Sequence, residues 1–340
     1  MHYMTQTQES TPGIGTVGQV ELSNNGTRLV KVFPNIMSHH QLIDAALGLA
    51  NGMHDVQRRV IKAVTTEPFP PNTLLHNGPF TVEASLPFEA HGQSLNWVVC
   101  GHNSGSRAID EPTKHQRFLD VDAFRNGRFF PQTAAQLWQA FRSANPSLGD
   151  VSIIQISPDN FADLKPTITN LYQAAFTSYP YDVVNTIETS CGRSVFVCTL
   201  DSTNRAVAIT GAELMTLPCG VAIGEIGDSA SLPDVKSSGA LMKRALLSRL
   251  EQLDRIPHLA FTDSRIAPVL AVNQRAGLLL SDHTLLPRHT QISSTLAPGI
   301  TVDVTAPNGA IFQVEDMTMT YADHTRIRQV LDTYGRVNVN

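Results

Sequence analysis

Hydrophobic positions change their period along the chain, and each period predicts a type of element. Near the start, alternating segments at 19–22 and 28–32 flank Asn25 and Gly26, a dipeptide typical of a tight β-hairpin turn. Apolar residues then recur at helical spacing over 38–51, and strand-like segments follow at 56–64, 80–86 and 95–100. This order of hairpin, helix and three strands predicts a small α/β domain.

The second part of the chain alternates strands and helices over a longer stretch. A turn-rich run from Asn145 to Asp150 predicts the boundary, so we expect a loose polar tail at 1–18, an N-terminal domain at 19–149 and a second domain at 150–340. We expect strands at 151–156, 195–200, 206–215, 220–229, 259–262 and 310–319, and helices at 133–143, 161–178, 239–253, 267–276 and 324–334. Helix 239–253 has the clearest amphipathic register, with Lys243 and Arg244 on its outer side. Together these elements predict an α/β fold with mixed sheets.

Composition narrows the classes of function. The 340 residues are 42% hydrophobic and 16% charged with a net charge of −5, which fits globular domains and argues against a nucleic-acid surface. No run approaches the ~20 apolar residues of a membrane helix, and the polar first residues lack the apolar core of a signal peptide. The four cysteines form no CxxC pair and the histidines lack zinc-site spacing, so we expect a cytoplasmic protein without a metal.

The main candidate for chemistry is a loop of small residues between a predicted strand and the clearest helix. It runs from Leu232 to Ala240, and the helix begins immediately afterwards. Such a loop aims backbone N–H groups and the positive end of the helix dipole at one point, which suits a phosphate, and Lys236 adds a positive charge. Helix capping alone explains the same small residues, so the loop by itself leaves both interpretations open.

The loop resembles the pyrophosphate-binding loop of the GNAT superfamily of N-acyltransferases, which reads Arg/Gln-x-x-Gly-x-Gly/Ala. The matching segment is Lys236-Ser237-Ser238-Gly239-Ala240-Leu241. Gly239 fits the pattern, Lys236 departs mildly from it, and Leu241 stands where a small residue is usual. The segment at 267–278 is similar to a common GNAT helix, and Ile266 occupies a position at which many members have Asn.

A wider resemblance, to the beta-lysine N-acetyltransferase family of that superfamily, covers nearly the whole chain. Short segments match in the same order, at 78–87, 172–181, 211–213, 224–233, 262–265 and 315–317, whereas 294–309 is an insertion. The resemblance implies a GNAT-type C-terminal domain at 150–340. It also implies a smaller α/β domain before it, whose element order suggests a degenerate half-GNAT fold.

The resemblance implies acetyl transfer from acetyl-CoA to a primary amine of a small amino-acid-like substrate. It assigns Glu225 as the general base and Tyr179 to substrate shape or proton delivery. Cofactor contacts would come from Ile226, Asp228, Ser229, Ala230, Lys236, Ser237, Ser238, Gly239 and Ala240, and substrate contacts from Glu213, Asp263 and Arg265. The expected partner is therefore a small amine, with neither nucleic acid nor membrane, and a homodimer is compatible with this assignment.

Each assigned residue also has an alternative interpretation in which its role is structural and not functional. Glu225 also fits a solvated strand residue, Asp228 a loop cap or a ligand of the substrate ammonium, and Tyr179 a packed aromatic. Surface salt bridges are the alternative for Glu213, Asp263 and Arg265. For the whole protein, Leu241 and Ile266 favour a decayed GNAT protein that senses acyl-CoA or scaffolds a partner. The irregular loop at 236–241 favours a longer acyl-CoA or an acyl carrier protein as the donor.

Overall fold

The structure is a computed structural model that describes residues 20–23, 28–50, 58–69, 75, 80–103, 130–176, 182–265, 269–280, 286–290, 301–305 and 311–340. The expected tail at 1–18 lies outside these residues. Within them the chain forms two β-sheets, one of five strands and one of nine, with helices against both. The predicted mixed α/β fold is confirmed. None of the described helices is both long enough and apolar enough to cross a membrane.

The N-terminal sheet has the strand order β1-β2-β3-β5-β4. Its elements are β1 (Val20–Ser23), β2 (Arg28–Met37), α1 (His39–Ala50), β3 (Arg58–Thr65), β4 (Thr81–Ala90) and β5 (Gln93–Asn103). Strands β1 and β2 pair as the predicted hairpin, although its turn lies outside the described residues. β2 and β3 run parallel, with α1 between them in the chain. The predicted order of elements is therefore confirmed.

The C-terminal sheet has the order β6-β7-β8-β9-β10-β14-β11, and β12 and β13 also pair with β14. Its strands are β6 (Ser152–Ile156), β7 (Val195–Leu200), β8 (Ala206–Thr216), β9 (Ala222–Ser231), β10 (Leu259–Arg265), β11 (Leu279–Leu280), β12 (Leu286–Thr290), β13 (Thr301–Thr305) and β14 (Ile311–Asp323). β9 and β10 run parallel, whereas the other described pairs of this sheet are antiparallel.

Helices cover both faces of the C-terminal sheet. They are α2 (Ala134–Ala144), α3 (Pro158–Ala175), α4 (Val183–Ser190), α5 (Ser238–Gln252), α6 (Val269–Ala276) and α7 (His324–Tyr334). Side chains of β7 alternate between two cores, since Val195 and Val197 join the cluster of α2, α5 and α7, while Phe196 and Cys198 join that of α3 and α4. We call these faces the α5 face and the α3 face. Helix α2 precedes the predicted domain boundary, yet it packs against α5.

The N-terminal sheet packs on the α3 face of the C-terminal sheet. One apolar cluster joins side chains of both sheets, among them Val60, Val64, Trp97, Ile223, Leu259, Phe261 and Met319. Along β9, Ile223 belongs to this cluster and Ile226 to the core under α5. Because strand side chains alternate, Glu225 shares the face of Ile223 and looks toward the N-terminal sheet.

Two expectations about α5 need correction. Lys243 and Arg244 were predicted on its outer side, but their side chains are buried, at 5% and 0% exposure. The prediction was wrong because further elements cover this side of the helix. Arg244 donates from Nε to the carbonyl of Ala276, 3.1 Å away, and from Nη1 to that of Gly335, also at 3.1 Å. Burial lowers the pKa of Lys243 to about 8.

Candidate functional site

The two parallel strands of the C-terminal sheet part within the described residues. β9 pairs with β10 at Ile223 to Glu225 and Leu259 to Phe261. Beyond that point β9 continues to Ser231 paired with β8, and β10 continues to Arg265 paired with β14. The facing edges of β9 and β10 therefore open into a wedge whose closed end lies at Glu225 and Phe261. An extended ligand could pair with the backbone of such an open edge.

A β-bulge interrupts β9 just inside this wedge. The register passes from Gly211–Gly227 to Ile209–Ala230, so β9 holds an extra residue there. Asp228 has a left-handed backbone with φ 49°, which is uncommon for a residue with a side chain. The hydroxyl of Tyr172, on α3, donates to the Asp228 carbonyl over 2.5 Å. The bulge changes the direction of the backbone N–H and C=O groups of β9 at the residues that were predicted to contact the cofactor.

The predicted phosphate loop follows β9 and leads into α5. Ser237, the residue before the helix, has a left-handed backbone with φ 57° and ψ 17°, and Ser238 begins the helix. A left-handed residue followed by helical ones turns successive N–H groups into one concavity, which suits an anion. The first N–H groups of a helix also have no acceptor within it. Ser237 is exposed, whereas Ser238 and Ala240 are each 6% exposed.

Asn145 holds this loop in place from the end of α2. Its side-chain oxygen accepts from the Lys236 N–H at 2.8 Å, and its amide nitrogen donates to the Lys236 carbonyl at 2.8 Å. The same nitrogen donates to the Phe141 carbonyl at 2.6 Å. The backbone N–H of Lys236 is thus already occupied, so any phosphate contact from this residue falls to its exposed side chain. The loop is preorganised rather than loose.

Gly239 and Leu241 have packing roles that the sequence did not reveal. A Cβ on Gly239 would come within 2.9 Å of Val272, so glycine lets α6 approach α5 closely. Leu241 is fully buried in the core of the α5 face. It therefore packs in the core and does not project from the loop. Ile266 lies outside the described residues.

Glu225 takes part in a buried ion pair between the two sheets. Its Oε2 lies 3.3 Å from Nζ of Lys62, on β3, and the two side chains are 8% and 3% exposed. The Lys62 ammonium also lies over the ring of Phe261, 5.8 Å from its centroid. Glu213 is the cross-strand neighbour of Glu225. The solvated-residue alternative for Glu225 is wrong, because the N-terminal sheet covers it.

Of the remaining predicted site residues, the structure describes the side chains of some and not of others. Ile226 and Ala230 are buried, toward α5 and α3 respectively. The Ser229 hydroxyl is exposed and lies 2.7 Å from that of Thr210. Asp263 and Arg265 belong to β10, but their side chains are outside the described residues, as is Tyr179 altogether. The wedge thus brings together Glu213, Glu225 and the bulge, with the phosphate loop at the end of β9.

The sequence did not predict the role of Lys62. It also did not predict the hydrogen bonds from Tyr172 to the bulge and from Asn145 to the loop. A signal existed for Lys62, because it alternates in phase with the apolar residues Val60 and Val64 on one face of β3. No comparable pattern marks Asn145, whose partner lies 91 residues away in the chain. Thiol chemistry finds no support here, since burial raises the pKa of Cys198 to about 12 and also raises that of Cys100.

Comparisons with known proteins do not place the chain in a family. No protein-family model matches it, and no curated protein matches it. An N-acetyltransferase from Staphylococcus aureus Mu50 has a TM-score of 0.37 at 9% identity, over 52% of this chain and 98% of its own. The acetyltransferase of GNAT family from Streptococcus pneumoniae gives 0.35 at 10%, over 51% and 99%. Spermidine N-acetyltransferase from Vibrio cholerae, in complex with CoA and spermine, gives 0.34 at 10%, over 52% and 98%. Likenesses of this size establish neither a family nor an activity.

Proposed function

We propose that this chain is an acetyl-CoA-dependent N-acetyltransferase that acts on a primary amine of a small, amino-acid-like molecule. The observation that carries the proposal is the wedge, in which two parallel strands part at a buried carboxylate beside a β-bulge. A helix preceded by a left-handed residue follows the same strand. An elongated donor with a phosphorylated end and a reactive end matches these two features in the order in which β9 presents them.

On the donor side, the first turn of α5 would receive the pyrophosphate and the edge of β9 the thiol arm. The helix dipole and first-turn N–H groups favour negative charge at that place. Lys236 contributes its exposed ammonium, which donates to the Pro233 carbonyl at 3.5 Å, from the loop that Asn145 holds in place. Backbone N–H groups around Ile226, Ser229 and Ala230 would bind the arm and polarise the thioester carbonyl, since donors fixed in a dry site stabilise a developing oxyanion.

On the acceptor side, the reaction needs a neutral amine near that carbonyl. A substrate ammonium loses a proton to a base, with Glu225 as the candidate, and the amine nitrogen attacks the carbonyl carbon. The tetrahedral intermediate collapses, the C–S bond breaks and the CoA thiolate takes a proton. The balance is ammonium plus acetyl-CoA giving amide, CoA and one proton. Tyr179, Asp263 and Arg265 keep their proposed roles in proton delivery and substrate recognition.

Calorimetric titration of acetyl-CoA and free CoA, followed by a thiol-release assay with beta-lysine, lysine and ornithine, tests the proposal. We expect binding of both ligands and release of thiol with at least one amine. Glu225→Gln should retain CoA binding and lose at least about 100-fold in turnover, the range of a general base. Absence of binding to either ligand would overturn the donor assignment, and unchanged turnover in the variant would remove Glu225 as the base.

One observation favours the non-enzymatic alternative, a sensor of acyl-CoA. Glu225 already has Lys62 as a close, buried partner, so the carboxylate is not presented to solvent as a ready base. Tight CoA binding without turnover on any amine would support the sensor. The choice among acetyl, longer acyl and carrier-bound donors is a separate question, which the same assay answers when it is run with each donor class.

A further inference from the structure

We infer that the ammonium of Lys62 occupies the position of the acceptor's ammonium, so that the N-terminal sheet holds an intramolecular competitor for the acceptor site. This inference rests on the proposed function, because it takes the wedge as the donor site. It adds a residue from outside the C-terminal sheet and a means by which that residue sets the apparent affinity for the amine.

The surroundings of the Lys62 ammonium have the chemistry of an ammonium site. Nζ lies 3.3 Å from a buried carboxylate oxygen of Glu225 and 5.8 Å from the centroid of the Phe261 ring. A carboxylate supplies a charge-assisted hydrogen bond, and an aromatic face attracts a cation within about 6 Å. Glu213, opposite Glu225 on β8, adds a second acidic side chain to this part of the sheet. A primary ammonium is the class of ligand that such a set recognises.

The position of this site fits the geometry of acyl transfer. Glu225 and Phe261 form the last register pair before β9 and β10 part. The bulge at Asp228 lies on β9 directly beyond them. An ammonium held at the closed end of the wedge is therefore close to the backbone that would hold the thioester carbonyl. An acceptor amine that reacts there must meet the same carboxylate.

The surroundings of the Lys62 stem allow its head group to be displaced from Glu225. In the sheet, Lys62 pairs with Val32 on β2 and Val99 on β5, and both belong to the apolar cluster between the sheets. The valines pack against the apolar stem of the lysine and make no contact that depends on its charge. The ammonium alone recognises Glu225. When an acceptor ammonium takes that place, the acceptor gains the ion pair that Lys62 loses. The displaced lysine head group must then leave its buried position, because an unpaired buried charge is costly.

The site is closed while the Lys62 ammonium occupies it and open to the acceptor for the remaining time. The apparent Kd for the acceptor is the intrinsic Kd divided by the open fraction. Closure for about 90–99% of the time raises the apparent Kd about 10–100-fold. Substitution at Lys62 should therefore change amine binding in two opposite directions. Lys62→Met removes the competing charge at similar length, and Lys62→Arg strengthens competition because a guanidinium binds a carboxylate through two hydrogen bonds.

The test measures binding of 1,4-diaminobutane and lysine by calorimetry in the presence of saturating CoA, and the KM and kcat for the same amines by thiol release. We expect both the Kd and KM to fall about tenfold or more in Lys62→Met and to rise severalfold in Lys62→Arg. Lys31→Met, on the neighbouring strand and the opposite side of the sheet, is the matched control and should leave all values unchanged.

The outcomes separate the two proposals. Unchanged or weaker amine binding in Lys62→Met, or equal binding in the arginine and wild-type proteins, overturns the competitor assignment even if CoA binds and thiol is released. A fall in kcat with unchanged KM in both variants also overturns it, because Lys62 would then serve only to keep Glu225 folded in place. Failure of the wild-type protein to bind CoA or release thiol counts against the proposed function. In that case amine titrations without CoA decide the competitor assignment, and the arginine variant keeps it testable if Lys62→Met does not fold.

Discussion

The apolar faces of the two sheets are covered by different kinds of element. The C-terminal sheet has its own helices on both faces, with α2, α5 and α7 on one and α3 and α4 on the other. The N-terminal sheet has α1 on one face, and its other face is buried against β9, β10 and β14 of the C-terminal sheet. One sheet is thus completed by the other, and the sequence boundary between predicted domains does not divide the core between them.

This difference also affects chemistry. The C-terminal sheet carries the wedge, the bulge and the predicted phosphate loop, which are the parts that the proposed donor would contact. The N-terminal sheet places one cation, Lys62, against the carboxylate at the closed end of the wedge. The N-terminal sheet therefore contributes a buried charge, and not packing alone, beside the carboxylate of the proposed acceptor site. Three predictions test how strongly the two sheets depend on each other, and a fourth tests the packing within the C-terminal sheet.

The largest effect should follow from removal of the N-terminal sheet. A chain of residues 130–340 keeps α2 on α5 but exposes Leu217, Val221, Ile223, Leu259, Phe261 and Met319 together. Contiguous apolar surface of this kind promotes association, and Glu225 loses its cation. We expect an associating fragment that binds a hydrophobic dye and lacks the cooperative thermal transition of the whole chain. A monodisperse fragment with a sharp transition would show that the C-terminal sheet is independent.

The next effect concerns the buried charges. Lys62→Met leaves Glu225 without its close cation, and removal of one partner from a buried pair typically costs about 3–5 kcal/mol. The double variant Lys62→Met with Glu225→Gln should recover most of this loss, because both charges of the pair are then absent. Denaturant unfolding of the four proteins in the cycle measures the coupling. Lys31→Met should change the free energy of unfolding by no more than about 0.5 kcal/mol, and additive losses in the cycle would contradict the prediction.

The sequence predicted best where local pattern and tertiary role agree. Helix α7 has the predicted bounds, since its apolar residues are periodic, Asp323 caps its start and Gly335 ends it. Helix α4 was missed because Val183–Ser190 is short and rich in residues that favour other conformations, although Asp182 accepts from the Asn185 N–H as an N-cap.

The candidate site was predictable in part for the same reason. The strand, loop and helix at 222–252 follow from a local pattern, and Glu225 stands out beside the loop. Its partner Lys62 comes from 163 residues earlier, so no local pattern could pair them. The burial of Lys243 and Arg244 likewise depends on elements that pack from elsewhere, and a helix with charges on one side is normally taken to face water.

A smaller effect should come from the packing of neighbouring strands within the C-terminal sheet. Gly211 on β8 lies under Phe196, and a Cβ there would come within 2.2 Å of the ring. Gly227, the cross-strand partner of Gly211, has nothing within 4 Å of an added Cβ. We expect Gly211→Ala to cost about 1–3 kcal/mol through overpacking, and Gly227→Ala to stay within about 0.5 kcal/mol. Equal losses in the two variants would show that backbone flexibility, and not the ring of Phe196, sets the cost.

The smallest effect should be a pH dependence at a contact between the sheets. His91, in the β4–β5 turn, lies with its ring centroid 5.0 Å from that of His258, which precedes β10. The pKa of His258 is lowered from its usual 6.5, mainly by burial and then by the charges of His91 and His324. Its Nδ1 also accepts from the Ala222 N–H at 2.9 Å, a bond that requires the unprotonated nitrogen. The folded protein therefore favours the neutral ring.

The sign follows from proton binding. Below about pH 6.5 the unfolded chain binds a proton at His258 that the folded chain does not yet bind, so the free energy of unfolding decreases as the pH is lowered through that window. Above about pH 6.5 the neutral ring makes its full contribution to stability. Denaturant midpoints measured between pH 8 and pH 5 should fall less in His258→Gln than in the wild-type protein, while His40→Gln, at an exposed position of α1, should follow the wild type. In His91→Gln the fall should persist but shrink, because burial is the larger cause and the charge of the N-terminal turn the smaller one. An unchanged fall in that variant would show that the two sheets do not couple through these rings.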